Sequence, residues 1–241
     1  VNTVWNFMHS AMRRNNVTYN ENFFDSKKSH QLFDTLYPVS DSTQYVLHTN
    51  RPNVLLIIVE SFTAGIIEPL NGMQSITPNI NNLCNEGLLF RNFYASGDRT
   101  DKGLVSILSA YPAQPQSSIV KYADKTQRLD YLTHTLEKAG YHCSFVYGGD
   151  VDFSNFRSYL ANFHFENITS VDDFDDSLNT SKWGVHHGPV MDRTLAECDT
   201  ATQPFFKAVL TLSSHEPFDV PMSPLIKGHD HEALFLNACH Y

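Results

Sequence analysis

The amino-acid sequence predicts an α/β protein: a three-layer α/β/α sandwich around a mostly parallel central sheet. Two observations lead there. Strand-like runs alternate with stretches of helical spacing over residues 51–241, the pattern of repeated strand–helix units. The runs are also apolar at consecutive positions, as in strands buried on both faces.

Taken in order, residues 1–50 are polar, rich in Asn, Ser, Thr and Asp, and read as an N-terminal connector lying across the domain surface. Within it Val4, Trp5, Phe7 and Met8 suggest a short amphipathic docking helix. Order begins at Arg51-Pro-Asn53, and residues 51–241 form one domain. Val54 to Val59 is an aliphatic, β-branched strand, and Leu88 to Tyr94 is a second strand candidate. Thr100 to Ala110 has helical spacing through Leu104, Ile107 and Leu108 and stops before Pro112. Tyr131 to Ala139 is a helix with Gly140 just past its end, and Tyr141 to Tyr147 is the strand after it. Phe153 to Ala161 and Val190 to Cys198 are helix candidates, and Phe205 to Leu212 is another buried strand. His231 onward reads as a helix cut short.

Composition narrows the function classes. Among 241 residues, 17 Lys and Arg face 26 Asp and Glu, a net charge of −9. That balance argues against a nucleic-acid surface, which needs clustered cations. It leaves an anionic substrate open, because a bound metal inverts local charge. The longest apolar run, Val54–Val59, is far short of the ~20 residues of a spanning helix. No signal peptide is visible, and Val1 in place of Met suggests a processed or excised piece. The four cysteines contain no CxxC pair, so zinc-ribbon and thioredoxin chemistry are not indicated. Their number permits two disulfides without requiring them.

In a parallel sheet the ligand site lies beyond the carboxyl ends of the strands. Glu60 follows the first strand, where a carboxylate must be paired or metal-bound, or else caps a helix. Gly97 and Thr100-Asp101 precede a helix whose free amides suit an anion, and a hydroxyl there can act as a nucleophile or as a plain cap. Gly148-Gly149-Asp150 follows the strand at 141–147; a few residues on, Arg157 either clamps a phosphate or is a solvated surface cation. His215 follows the strand at 205–212 and either contacts a substrate oxygen or is structural. His186-His187 are adjacent and seldom converge on one ion, so they read as loop residues. Four strand ends, each followed by a ligand-capable residue, point to one site more strongly than any of them alone.

Those same residues carry a family resemblance. Arg51-Pro-Asn-Val-Leu-Leu-Ile-Ile-Val-Glu-Ser61, Thr77-Pro-Asn-Ile-Asn-Asn-Leu83, Gly97-Asp-Arg-Thr-Asp-Lys-Gly103, Ser109-Ala-Tyr-Pro112 and Leu212-Ser-Ser-His-Glu-Pro-Phe218 resemble the sulfatase and lipoteichoic acid synthase branch of the alkaline phosphatase superfamily. Sulfatases carry a Cys or Ser in C/S-x-P-x-R; here the position reads Thr100-Asp-Lys-Gly-Leu104. Sulfatases also show paired aspartates after the first strand, where this chain has the single Glu60. A Glu with a Thr is similar to the phosphoglycerol transferases of the lipoteichoic acid synthase type.

The resemblance implies an alkaline phosphatase-like fold. It implies Glu60 as a metal ligand, Thr100 as ligand and nucleophile, and His215 and Arg157 as substrate contacts. The cofactor it implies is a divalent ion, Mn²⁺ first, with Mg²⁺ or Zn²⁺ as alternatives. The implied reaction transfers a glycerophosphate-like group from a phospholipid headgroup, or another anionic ester, through a phospho-threonine. A sulfatase-like hydrolase and an inactive anion-binding fragment are the alternatives. The family completes its metal site with a late Asp-His pair. Asp230-His231 does not match it, since no buried strand precedes it, so the domain is expected to be truncated at its C-terminus and to bind metal poorly. The resemblance also implies an extracytoplasmic domain of a cytoplasmic-membrane protein, anchored by N-terminal helices outside this chain.

Overall fold

The structure, a computed structural model, describes residues 3–13, 24–37, 42, 45–115 and 117–241. The chain divides into two compact units, Val1–His48 and Thr49–Tyr241. In the first, α1 spans Thr3–Arg13 and α2 spans Ser26–Leu36. The side chain of Phe7, counted in the amphipathic pattern, lies outside what is described. The second helix was not foreseen in this polar stretch. Its start is fixed by Asp25, which accepts a hydrogen bond from the Lys28 amide at 2.8 Å, a side-chain cap on orphan donors.

The second unit is built on a parallel sheet. Among the described residues its strands are β1 (Val54–Ile58), β2 (His142–Tyr147), β3 (Asn167–Thr169) and β4 (Phe205–Leu210), in the spatial order β1-β4-β2-β3. Every pairing is parallel, with Leu56 opposite Ala208 and Ala208 opposite Phe145. Because side chains alternate across a strand, this register sets two faces. On one, Val54, Leu56, Ile58, Cys143, Phe145, Phe206, Ala208 and Leu210 form the main core with Leu104, Leu108, Tyr159, Leu160 and Phe163. Those partners come from α4 (Thr100–Ser109) and α7 (Phe156–Asn162) and the residue just after it; α6 (Leu132–Lys138) adds Leu136. On the other face, Val146 and Val209 pack against Val185 and against Val190 of α8 (His187–Thr200). Helices on both faces of a parallel sheet make the three-layer sandwich. A smaller cluster joins Ile66 and Ile76 to Leu236 of α9 (His231–His240).

One predicted strand does not form. Leu88 to Tyr94 is irregular and largely exposed, following α3 (Pro78–Glu86) and its Gly87 cap. Its apolar residues satisfy a strand's composition, but among the described residues no strand pairs with it, and an unpaired strand is not stable in water. α3 and β3 themselves were not foreseen. All four cysteines are free thiols, and among the described residues no helix is long and apolar enough to cross a membrane.

Candidate functional site

The site sits at the carboxyl ends of β1, β2 and β4. β1 and β4 are held in register past their ends: the Thr211 amide donates to the Ile58 carbonyl, and the Glu60 amide donates to Thr211 Oγ1 at 3.0 Å. Ser214 Oγ donates to the Glu60 carbonyl. Thr211 and Ser214 are buried, and their hydrogen bonds with the Glu60 backbone satisfy these polar groups and fix where Glu60 starts.

Thr100 opens α4 at its first helical position. The preceding residue, Arg99, provides no side-chain cap, and the Thr100 side chain does not cap the helix either. Its hydroxyl instead donates to Glu60 Oε2 at 2.6 Å, across 40 residues of sequence. Ser61 Oγ donates to the other carboxylate oxygen at 3.2 Å. Both the cap readings of Glu60 and Thr100 therefore give way to a shared contact. Two oxygen donors converge there, a chemistry suited to a hard divalent cation such as Mg²⁺ or Mn²⁺. Among the described residues no group of three or more His, Cys, Asp or Glu is assembled to hold a metal, so Glu60 and Thr100 are the pair this site offers one.

A cavity of about 540 Å³ opens over this pair, lined also by Arg99, Lys121, Tyr147, Trp183 and His215. His215 is positioned by Trp183: the ring centroids are 4.4 Å apart, and Trp183 Nε1 donates to the Glu216 carbonyl at 2.6 Å. His215 Nδ1 lies 3.1 Å from that same carbonyl oxygen. A carbonyl accepts only, so Nδ1 carries the proton; Nε2 then accepts in the neutral ring and donates only in the imidazolium. Arg99, Lys121, Tyr147 and Trp183 were not singled out from sequence.

Arg157 lies apart from these residues. It is not among the residues lining this cavity. Its Nε donates to Asp152 at 2.7 Å on the exposed start of α7. Asp152 lies five residues back, and Arg157's amide bonds to the Val151 carbonyl, so the local turn folds the guanidinium onto a carboxylate instead of the cavity. The hydrogen bond between them keeps Asp152's carboxyl below and Arg157's guanidinium above their usual ranges.

His186 ends the loop before α8, His187 opens that helix, and neither is exposed. His186 is buried against Ser213 at the N-cap position of α8, where its side chain makes no capping bond, and the His187 amide donates to Ser213 Oγ at 3.1 Å. Burial lowers the pKa of both rings, that of His187 against a hydrogen bond its ring makes to the Tyr241 backbone. Asp230 caps α9 by accepting from the Ala233 amide at 2.8 Å, and His231 packs edge-on against Phe218; neither lines the cavity.

Comparison with known proteins adds a family. The Sulfatase family model matches residues 52–225. The chain is 25% identical over 207 residues to lipoteichoic acid synthase-like YvgJ of Bacillus subtilis (strain 168), covering 83% of this chain and 33% of that protein. Lipoteichoic acid synthase 1 of the same organism is 24% identical over 205 residues, covering 81% and 32%. The chain thus spans about a third of the length of these curated relatives. Among solved structures it is similar to a protein in the alkaline phosphatase superfamily from Vibrio parahaemolyticus, with TM-score 0.75, 23% identity, and coverage of 90% of this chain and 57% of that one. The lipoteichoic acid synthase LtaP from Listeria monocytogenes gives TM-score 0.72 at 19% identity, covering 87% and 54%. The C-terminal periplasmic domain of EcEptC from Escherichia coli, in complex with Zn, gives 0.56 at 17% identity, covering 80% and 57%.

Proposed function

The chain belongs to the Sulfatase family and has the fold of the alkaline phosphatase superfamily, and from that premise we propose that it carries the nucleophile half of a phosphotransferase active site. The reaction moves a glycerophosphate-like group from a phospholipid headgroup through a phospho-threonine at position 100. The observation that supports this reading is the 2.6 Å hydrogen bond from Thr100 Oγ1 to Glu60 Oε2. It turns the hydroxyl proton toward the carboxylate and a lone pair toward the cavity, the arrangement a nucleophile needs. The Thr100–P bond forms as the P–O bond to the diacylglycerol breaks; the hydroxyl proton passes to Glu60, and the departing alkoxide takes a proton from solvent in the open cavity. A second alcohol or water then attacks phosphorus and gives its proton to solvent, the Thr100–P bond breaks, and Glu60 returns the proton to the Thr100 oxygen.

Glu60 and Thr100 are also the residues that would hold a divalent cation, Mn²⁺ by the family resemblance, which when bound would acidify the hydroxyl and offset phosphate charge. His215 contacts the substrate phosphate through the Nε2 edge of its ring. Arg99 and Lys121 line the same cavity and supply the positive charge that Arg157, engaged by Asp152, would have to leave its partner to give. Names of similar proteins support the substrate class and place of action: lipoteichoic acid synthase 1, and the periplasmic domain of EcEptC. The protein so read is an extracytoplasmic enzyme of the cytoplasmic membrane.

The test is a pair of assays on the full-length protein: diacylglycerol release from phosphatidylglycerol vesicles, and hydrolysis of an aryl sulfate. The expected result is release in the first assay only, lost by about a thousandfold or more in Thr100→Ala with an unchanged melting temperature. Release by Thr100→Ala at the wild-type rate, turnover of the sulfate instead, or no turnover of either substrate by the wild type would each overturn the reading.

A further inference from the structure

Tyr147 is the last residue of β2. In the parallel register it stands in one row with Leu210 and Ile58, on the sheet face that carries the main core, and its ring packs against that core. Glu60 follows Ile58 by two residues. Tyr147 therefore reaches the cavity floor beside the Glu60–Thr100 pair, and it lines the same cavity.

The phenol is held there by two glycines. A Cβ on Gly149 would come within 2.6 Å of the Tyr147 hydroxyl oxygen, so any side chain at 149 would push the ring out of its seat. Gly148 is crowded from the other side by the Val185 carbonyl and the Val190 side chain. The turn after β2 thus passes close against the phenol ring at Gly149, and the residue lines the cavity.

The hydroxyl makes no hydrogen bond to any described residue. Tyr147 is only partly buried, so a group in the cavity it lines can accept a hydrogen bond from the phenol. Burial, then the nearby Glu60 and Asp150 carboxylates, push the phenol pKa up to about 12. Near neutral pH the group keeps its proton, donates one hydrogen bond and adds no charge.

We propose that Tyr147 is a further catalytic residue, donating its O–H to a non-bridging oxygen of the phosphoryl group while Thr100 Oγ1 bonds to phosphorus. Nothing is transferred to or from the phenol: its proton stays on oxygen while the Thr100–P bond forms and the bond to the leaving alcohol breaks. A donor fixed in advance at a site of developing charge contributes more in the transition state than in the ground state. This inference rests on the assignment of Thr100 as nucleophile.

The experiment is Tyr147→Phe in the full-length protein, which removes one oxygen and keeps the ring, assayed by diacylglycerol release from phosphatidylglycerol vesicles. The expected result is a fall in kcat of about ten- to a thousandfold with KM within about threefold. Orthovanadate, a mimic of the transferring group, should bind more weakly by a similar factor. A packing role alone would not split kcat from KM in this way. 4-Aminophenylalanine at the same position keeps the shape and a neutral N–H donor, and should restore kcat to within about tenfold of wild type. The proposal is overturned if Tyr147→Phe keeps kcat within twofold of wild type, or if the amino variant fails to recover what Phe loses. Thr100→Ala, run alongside, separates the cases. An inactive Thr100→Ala beside a fully active Tyr147→Phe removes Tyr147 alone. An active Thr100→Ala removes the nucleophile on which it depends.

Discussion

Gly184 shows how far single residues decide the shape of this site. Its φ of +135° lies where a side chain is strained, and a Cβ there would overlap the Gly148 carbonyl oxygen. It bridges to Gly149 and Ser181, so Gly148, Gly149 and Gly184 let two backbone segments touch beneath Tyr147 and beside Trp183. Replacement by Ala adds left-handed strain of about 1–3 kcal/mol to a steric clash with backbone that cannot yield. Gly184→Ala should therefore lower the urea midpoint with m unchanged, by the amount that corresponds to a stability loss of at least about 1–3 kcal/mol. A midpoint equal to wild type would mean that the segment relaxes at no cost. None of this was legible in the sequence, where Gly184 was passed over. Glu60 and Thr100 were legible as candidates because each directly follows a loop or strand end with no apolar reason to be there. Their contact, 40 residues apart, comes from the sheet. Tyr147 was hidden for the opposite reason: it completes an apolar run and reads as core.

At the level of elements, α8 is tied to β4 by an ion pair whose lysine is buried and whose glutamate is half-buried. Lys207 sits in the middle of a wholly buried strand and is 4% exposed. Its Nζ reaches Glu197 Oε2 of α8 at 2.7 Å and Ser144 Oγ of β2 at 2.8 Å, and Arg193 holds the other Glu197 oxygen at 3.0 Å. Burial alone would raise the Glu197 pKa, but the hydrogen bonds from Lys207 and Arg193 outweigh it and hold the carboxyl below its usual 4.5. A carboxyl depressed in the folded state binds fewer protons than in the unfolded chain. Its contribution is then complete above about pH 4.5 and lost as pH falls through the lower folded value. Urea unfolding of the wild type should show this acid loss. Glu197→Gln should be less stable by about 3–5 kcal/mol near neutral pH, because Lys207 keeps a buried charge with no counter-charge. Its stability should also change less as pH falls from 6 to below the folded Glu197 value. An equally steep acid loss in Glu197→Gln would place the effect elsewhere. The run from Phe205 to Leu212 was read correctly as a strand in spite of Lys207, since one charge does not break five apolar neighbours. The segment from Leu88 to Tyr94 was misread, because propensity cannot report whether a partner strand is present.

Across the whole second unit, the sheet is covered unevenly. α8 lies over Val146 and Val209, while Leu55, Ile57 and Val59 on the same side of β1 remain 38%, 46% and 39% exposed. Among the described residues β1 pairs only with β4, so its outer edge offers free amides and carbonyls beside an apolar face. Such an edge is a template for pairing with another chain. The net charge of −9 opposes that approach, but only over a Debye length of roughly 8 Å at physiological salt and about 3 Å at 1 M. The 241-residue chain should therefore associate with itself more as salt is raised, the reverse of what charge-driven contacts would do. Ile57→Lys places a cation in the middle of the edge and faces it outward, away from the main core that Leu56 and Ile58 enter. Sedimentation of both proteins at low and high salt reads the difference: the wild type should grow heavier with salt and concentration, and Ile57→Lys should stay monomeric at an unchanged melting temperature. If the wild type remains monomeric at every salt concentration, the edge is already protected and β1 is not the vulnerable element; if both proteins associate alike, the contact lies on another face.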